Sequence, residues 1–198
     1  MLWEFCQHGS NLVLGLVVML VAAMVVSGDW PAHLWLFLLG ATLFFTSEYT
    51  FHRYAFHAPP MTRVPFILKL QHRLHYDHHS EPNRLDLLFL PLWFVLPNLA
   101  ITGFLAWLIW PSAASVCTLL AGTAAAILYY EWVHFIAHIP YKPRTVWGRW
   151  IKKYHLWHHF KNEHLWFGVT NPGFDFIMHS YENVADAAAS ATTRNLHS

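Results

Sequence analysis

Histidine stands out in this chain, with 16 copies among 198 residues, and ten of them fall into four short patterns. His52 and His57 form HxxxxH, and His75, His78 and His79 form HxxHH. His134 and His138 form HxxxH, and His155, His158 and His159 form a second HxxHH. Neutral imidazole is the commonest metal ligand among side chains. At helical pitch, positions three and four apart share one face. His134 and His138 can therefore grip one ion, as can His75 with His78 or His79, and His155 with His158 or His159. Adjacent histidines point in different directions, so an HH pair is suited to serving two neighbouring ions. His52 and His57 stand about 140° apart on an ideal helix. They share an ion only if the helix ends between them, which Pro59 and Pro60 just beyond would encourage; otherwise they bind different ions. Ten imidazoles are too many for one metal and suit two, with four or five ligands each.

The remaining histidines carry weaker signals. His72 lies one turn before His75 and His179 sits in "FIMHSY"; both are kept as supplementary ligand candidates. His8, His33, His164 and His197 are isolated and read as surface or satisfied core residues. A metal-scavenging tract would be polar, Gly-rich and irregular. These patterns are instead interleaved with Leu, Tyr, Trp and Phe at helical spacing, which favours an ordered di-metal site. Each ligating ring needs a partner for its other nitrogen. Glu48, Asp77, Glu131 and Asn171 are the nearby polar candidates. All ten rings must be neutral to bind, so acid should strip the metal.

The elements that must position these rings are apolar. The chain is 56% hydrophobic and 12% charged. No Asp, Glu, Lys or Arg occurs from Phe5 to Gly28, from Trp30 to Ser47, or from Leu87 to Tyr130. A membrane-spanning helix needs roughly 20 apolar residues. Helices are expected near 11–27, 32–50, 86–109 and 113–135, with turns at "SGDWPA" and "WPSA". Pro91 and Pro97 mark the third as kinked or partly re-entrant. Four such runs leave too little polar sequence to cover a soluble core. The expected fold is therefore all-α and integral to the membrane, with four transmembrane helices and interfacial helices carrying the histidine site. Residues 1–198 read as a single domain, with a flexible tail from about residue 183.

Lys and Arg set the expected orientation. Arg53, Arg63, Lys69, Arg73 and Arg84 in one segment, with Lys142, Arg144, Arg149, Lys152, Lys153, Lys161 and Arg194 in another, are all 12 basic residues. Four spans put both segments on one side, and the positive-inside rule makes that side cytoplasmic, with both termini and the site. The chain then reads as two similar halves. Each is a membrane hairpin, a histidine pair, an aromatic-rich stretch and an HxxHH.

Composition excludes other classes. The net charge of +1 gives no nucleic-acid footprint. Cys6 and Cys117 make no disulfide framework. "MLWEFCQHGS" lacks the basic start of a cleaved signal peptide.

"EYTFHRYAFH", "HYDHH", "EWVHFIAH" and "HLWHH", in this order around four spans, resemble the fatty acid hydroxylase and sterol desaturase superfamily of integral membrane di-iron enzymes. "FGVTNPGFDF" after the last box resembles the usual run there, and the likeness covers roughly residues 45–178. The HxxxH before the final HxxHH favours this superfamily over acyl-CoA desaturases. The resemblance implies the ten patterned histidines as ligands of two iron ions, which Zn can replace on purification. It departs at the extra His72 and at "MHSY", where relatives often carry a small Gly-Thr turn. The implied chemistry is attack by activated O2 on an unactivated C–H bond. Hydroxylation is favoured, and desaturation is the alternative within the superfamily.

The surroundings of the boxes point to a lipid substrate. "RVPFILKL" and "TVWGRWIKKYHLW" are apolar with basic residues, as interfacial helices are. No haem-binding or flavin-binding segment is visible, so a separate electron donor, a cytochrome b5-like protein or a ferredoxin, is expected. A metal transporter or sensor is the alternative from another class. It would hold ligands at mid-membrane on broken helices, whereas these spans lack ionisable residues away from their ends. A zinc hydrolase needs only three protein ligands per ion, which leaves ten histidines unexplained.

Overall fold

The computed structural model describes residues 2–196. Among them every regular element is helical. The chain divides into two compact units, one running to Phe45 and including Leu90–Glu131, the other formed by Thr46–Phe89 and the residues from Trp132 onward.

The first unit carries most of the apolar sequence. Its helices are α1 (Leu2–Gln7), α2 (Gly9–Val26), most of α3 (Leu34–Phe51), α7 (Leu92–Ile109) and most of α8 (Ala113–His138). The stretches Gly9–Val26, Leu34–Phe56, Leu85–Ile109 and Ala113–His138 are long and apolar enough to cross a membrane. This is the all-α integral membrane fold that the charge gaps predict. Leu16, Met19, Leu20, Leu38, Ile101, Phe104, Leu105 and Leu108 are exposed. An apolar surface of that extent suits hydrocarbon and not water. Helices suit such a setting because their backbone groups pair within the segment, which lipid cannot do for them.

Small residues let two of these helices touch. A Cβ on Gly40 would lie 2.0 Å from the Leu119 carbonyl oxygen, and one on Gly122 would lie 1.9 Å from that of Phe37. The Thr123 hydroxyl donates to the Gly40 carbonyl at 3.2 Å. Close backbone approach of this kind is how helices associate where no hydrophobic drive operates. Leu36, Ala106, Val116 and Leu119 pack in one cluster, and Leu14, Val95, Ala124 and Ile127 in another.

The third span breaks where its prolines predict. The short α6 (Leu85–Leu88) is followed by extended Phe89 and by Pro91 as the cap of α7, with Pro97 inside that helix. The break frees backbone amides, and the buried Glu131 carboxylate accepts from Leu90 N at 2.8 Å.

The second unit holds every patterned histidine. Helix α3 runs on into a π-helical turn, His52–Phe56. Then come α4 (Pro65–Gln71), a second π turn (His72–Tyr76), α5 (Asp77–Ser80) and α6. The end of α8, α9 (Val146–Phe160) and α10 (Gly173–Ile177) complete it. Val133, Ile151, Tyr154, Trp166 and Ala187 form its apolar core. The tail read as a flexible end is folded back through its described part: Ala187 and Thr193 are buried, and Ser190 N donates to the Lys161 carbonyl at 2.7 Å. Its Ala-rich and Ser/Thr-rich composition hides this, because the anchors are small side chains, among them the Ser190 and Thr192 hydroxyls, and main-chain groups.

Candidate metal centre

Ring nitrogens of His52, His57, His75, His79 and His158 lie within 4.8 Å of one another, and those of His78, His134, His138, His155 and His159 form a second such set. Each set takes four rings from one half of the chain and the middle histidine of the HxxHH from the other. His78 crosses to the second set and His158 to the first. The HH pairs are therefore split between sets, as adjacent side chains on a helix must be. Where the spacing allows a choice, His75 joins His79 and His155 joins His159.

A local change of helix type resolves the HxxxxH. His57 N donates to the His52 carbonyl at 3.2 Å, five residues back. A π turn widens the helix so that residues five apart come round to one side. The α-helix gives way at His52, and both rings reach the same set. The second π turn, closed by Asp77 N on the His72 carbonyl, leaves His72 outside. His72 is exposed, with Nδ1 2.9 Å from Asp77 Oδ1.

Helix α9 is capped at its start by Thr145, whose hydroxyl accepts from Gly148 N at 3.0 Å. It buries Ile151, Tyr154, His155, His158 and His159 at helical spacing. Lys152 on the same helix donates to the carbonyls of Ile136, Ile139 and Tyr141 at 2.7, 2.7 and 2.9 Å. It thereby caps the end of α8 that carries His134 and His138.

Three rings of the first set are oriented by main-chain carbonyls. His52 Nδ1 meets Phe167 O at 2.5 Å, His158 Nδ1 meets Leu165 O at 2.7 Å, and His79 Nδ1 meets Thr193 O at 2.9 Å. A carbonyl only accepts, so each ring carries its hydrogen on Nδ1 and turns an Nε2 lone pair inward. Nε2 atoms also crowd one another: His57 approaches His75 at 2.7 Å and His158 at 3.0 Å. His78 and His134 stand 2.9 Å apart, and His138 and His155 2.8 Å. The Nε2 atoms of His52, His79 and His159 are buried with no hydrogen-bond partner among the described residues. Each such atom costs about 1–3 kcal/mol, and ligation would remove that cost. Inward lone pairs in excess of hydrogens are what a cation complements. Imidazole sets of this kind suit Fe, Zn, Cu or Ni.

Burial is the main cause, and neighbouring rings a further one, that holds His57, His75, His78, His79, His155, His158 and His159 well below the ordinary imidazole range. They are neutral at pH 7 and ready to ligate.

The side chains expected to orient the rings are engaged as follows. Glu48 accepts from Thr170 N at 2.9 Å and from the Thr170 hydroxyl. Asp77 holds His72, Glu131 takes Leu90 N, and Asn171 Oδ1 accepts from Gly173 N at 3.2 Å. His179 is exposed at φ 54° and joins neither set; His8, His33 and His164 also lie outside both sets. His197 lies outside the described residues.

The orienting carbonyls have their own supports, none of which was a candidate from sequence. Trp166, fully buried at φ 58°, separates Leu165 from Phe167 and aims their carbonyls at two different histidines. Its N donates to Ser180 O at 2.9 Å and its indole to Glu182 O at 3.0 Å. Asp175 accepts from Phe167 N at 2.9 Å, the Ser180 hydroxyl at 2.6 Å, Gly168 N at 2.8 Å and the Tyr154 hydroxyl at 2.8 Å. Burial pushes its carboxyl up, against those four donors. Buried Glu163 receives the hydroxyls of Ser190, at 2.9 Å, and of Thr192, next to Thr193. The one signal for these residues was a lone acid inside the apolar "FGVTNPGFDF".

Residues 35–180 match the family model described as fatty acid hydroxylase. The chain is 30% identical over 150 residues to the fatty acid 2-hydroxylase of Homo sapiens, covering 73% of this chain and 39% of that protein. It is 32% identical over 153 residues to the ceramide very long chain fatty acid hydroxylase of Saccharomyces cerevisiae, covering 74% and 38%. The chain thus spans about two fifths of the length of these curated relatives. A solved structure described as full-length scs7p, with only the hydroxylase domain visible, is similar at a TM-score of 0.74 and 26% identity, covering 94% of this chain and 71% of that one.

Proposed function

The chain belongs to the fatty acid hydroxylase family, and from that premise we propose that it is a membrane-bound oxygenase that hydroxylates the acyl chain of a lipid, with two iron ions held by the ten patterned histidines. The observation that carries this reading is the pair of five-imidazole sets that exchange one ring each. The names of the relatives, fatty acid 2-hydroxylases and a ceramide hydroxylase, support a fatty acyl substrate and hydroxylation over desaturation.

The roles of the chain's own residues follow from their chemistry. His52, His57, His75, His79 and His158 would hold one ion and His78, His134, His138, His155 and His159 the other. The carbonyls of Leu165, Phe167 and Thr193 keep three rings in the tautomer that ligates. Burial keeps the rings neutral and keeps bulk water from the reaction. Iron bound there supplies activation of O2 for attack on an unactivated C–H bond. Conversion of C–H and O2 to C–OH and water consumes two electrons and two protons. We assign the electrons to a separate cytochrome b5-like or ferredoxin-like donor. The clustering of all 12 basic residues in 49–84 and 139–198 supports a cytoplasmic site.

Lipid mass spectrometry of cells expressing the protein under 18-O2 tests this. One labelled oxygen in an acyl chain is the expected product. Loss of two hydrogens, with label only in water, would instead reveal a desaturase. No oxygen-dependent change in any lipid would overturn the oxygenase reading and favour a metal transporter.

A further inference from the structure

We propose that the two imidazole sets are unequal, and that the segment from Leu165 to Thr193 makes the set of His52, His57, His75, His79 and His158 the tighter metal site. This rests on the metal-centre reading above.

The two sets match in ring count and in crowding of their inward nitrogens. They differ behind the rings. In the first set, His52, His79 and His158 each donate Nδ1–H to a carbonyl. In the second set, the Nδ1 atoms of His78, His155 and His159 are buried with no hydrogen-bond partner among the described residues. An imidazole whose Nδ1 has no hydrogen-bond partner has neither its tautomer nor its ring orientation set from that side. Binding a metal must then fix both tautomer and orientation. A ring already donating from Nδ1 has both fixed in advance, and the carbonyl raises the basicity of its Nε2. Outer partners of this kind are worth about 10–100-fold in metal affinity.

All three carbonyls belong to one stretch of chain, and that stretch is itself held. Asp175 fixes the amides of Phe167 and Gly168, and so the direction of the peptide groups flanking Trp166. Glu163 fixes Ser190 and Thr192 beside the Thr193 carbonyl. Both carboxylates are buried, and among the described residues their hydrogen bonds go to Phe167, Gly168, Tyr154, Ser180, Ser190 and Thr192 and to no ring of the two sets. They are positioning residues: they act on the metal site only through the main chain. The second set receives no comparable support from this segment.

The test is a cobalt(II) titration of the full-length, metal-stripped protein in detergent against a competing chelator, read as bound metal per chain and by the visible absorption of the bound ion. The wild type should fill in two steps separated by about 10–100-fold in chelator strength. His134→Ala should keep the tight step and lose the weak one, and His75→Ala should do the reverse. Asp175→Asn should weaken the tight step about tenfold or more while leaving the weak step in place. Ser180→Ala removes one donor from Asp175 and serves, with a smaller shift in the same direction, if Asp175→Asn does not fold. Two equal steps in the wild type would overturn the proposal. So would a tight step that survives His75→Ala, or an Asp175→Asn protein in which both steps weaken alike. Wild-type protein that takes up no cobalt would instead sink the metal-centre reading itself.

Discussion

The rings of His79 and His159 lie stacked, with centroids 4.1 Å apart and planes 21° from parallel, and they belong to different metal sets. The two sets therefore adjoin along a shared wall of imidazoles. Each set also borrows one ring from the other half of the chain, so a substitution at that ring should be felt in the set built mainly by the other half.

The crossed histidines make that expectation specific. His158→Ala should empty the first set although His158 sits on the helix of the second, and His78→Ala should empty the second. Each should lower bound metal from two ions to one per chain and abolish turnover. His33→Ala, outside both sets, should change neither. Elemental analysis of anaerobically purified protein checks the count. Two ions retained by His158→Ala would refute the crossed assignment.

Acid should loosen the centre through a signed effect. Burial lowers the folded-state pKa of His75, His79, His155, His158 and His159, so the unfolded chain binds more protons than the folded one below the unfolded value. Stability of the metal-stripped protein should be level above about pH 7 and fall steadily as pH drops below about 6.5. Metal retention should fall over the same window, since protons and metal compete for Nε2. Thermal melting in detergent between pH 5 and pH 8 measures it. A melting point that rises toward acid would contradict neutral, buried rings.

Much of this was legible in the sequence because the controlling physics is local. Runs without charge mark the spans, and Pro91 marks the break. Spacings of three and four mark which rings share a face. The pairing of His52 with His57 was legible only as a conflict, since an α-helix separates them and nothing in "HRYAFH" announces a π turn. The orienting groups were illegible for a different reason. The partners of His52, His79 and His158 are main-chain carbonyls, which every residue possesses, so no residue type at Leu165, Phe167 or Thr193 signals the role. Side chains chosen from sequence by proximity, such as Glu48 and Asp77, satisfy Thr170 and His72 instead. The crossing of His78 and His158 depends on how helices from two halves meet, which spacing within one helix does not encode.

Orientation in the membrane has a direct test. In a background lacking Cys6 and Cys117, single cysteines at the exposed positions Ser80 and Ala189 should both react with a membrane-impermeant thiol reagent only from the cytoplasmic side. A cysteine at exposed Ser112, between the third and fourth spans, should react only from the other side. Ser80 and Ala189 labelled from opposite faces would rule out four crossings.

Two residues in the left-handed region, Trp166 at φ 58° and His179 at φ 54°, separate strain that serves the site from strain that does not. A non-glycine residue there costs about 1–2 kcal/mol, and replacement by glycine recovers part of this after the added freedom of the unfolded chain is counted. His179 is exposed and outside both metal sets, so His179→Gly should stabilise by about 0.5–1 kcal/mol with two metals retained. Trp166 is fully buried against Val133, Ile151 and Tyr154. Emptying such a site costs about 3–5 kcal/mol, which outweighs any relief of strain. Trp166→Gly should therefore destabilise by several kcal/mol and, by freeing the Leu165 and Phe167 carbonyls, lower metal affinity. Melting curves with metal counts on both variants decide the matter. A stabilised Trp166→Gly protein with full metal would mean that neither the ring nor the turn holds the site.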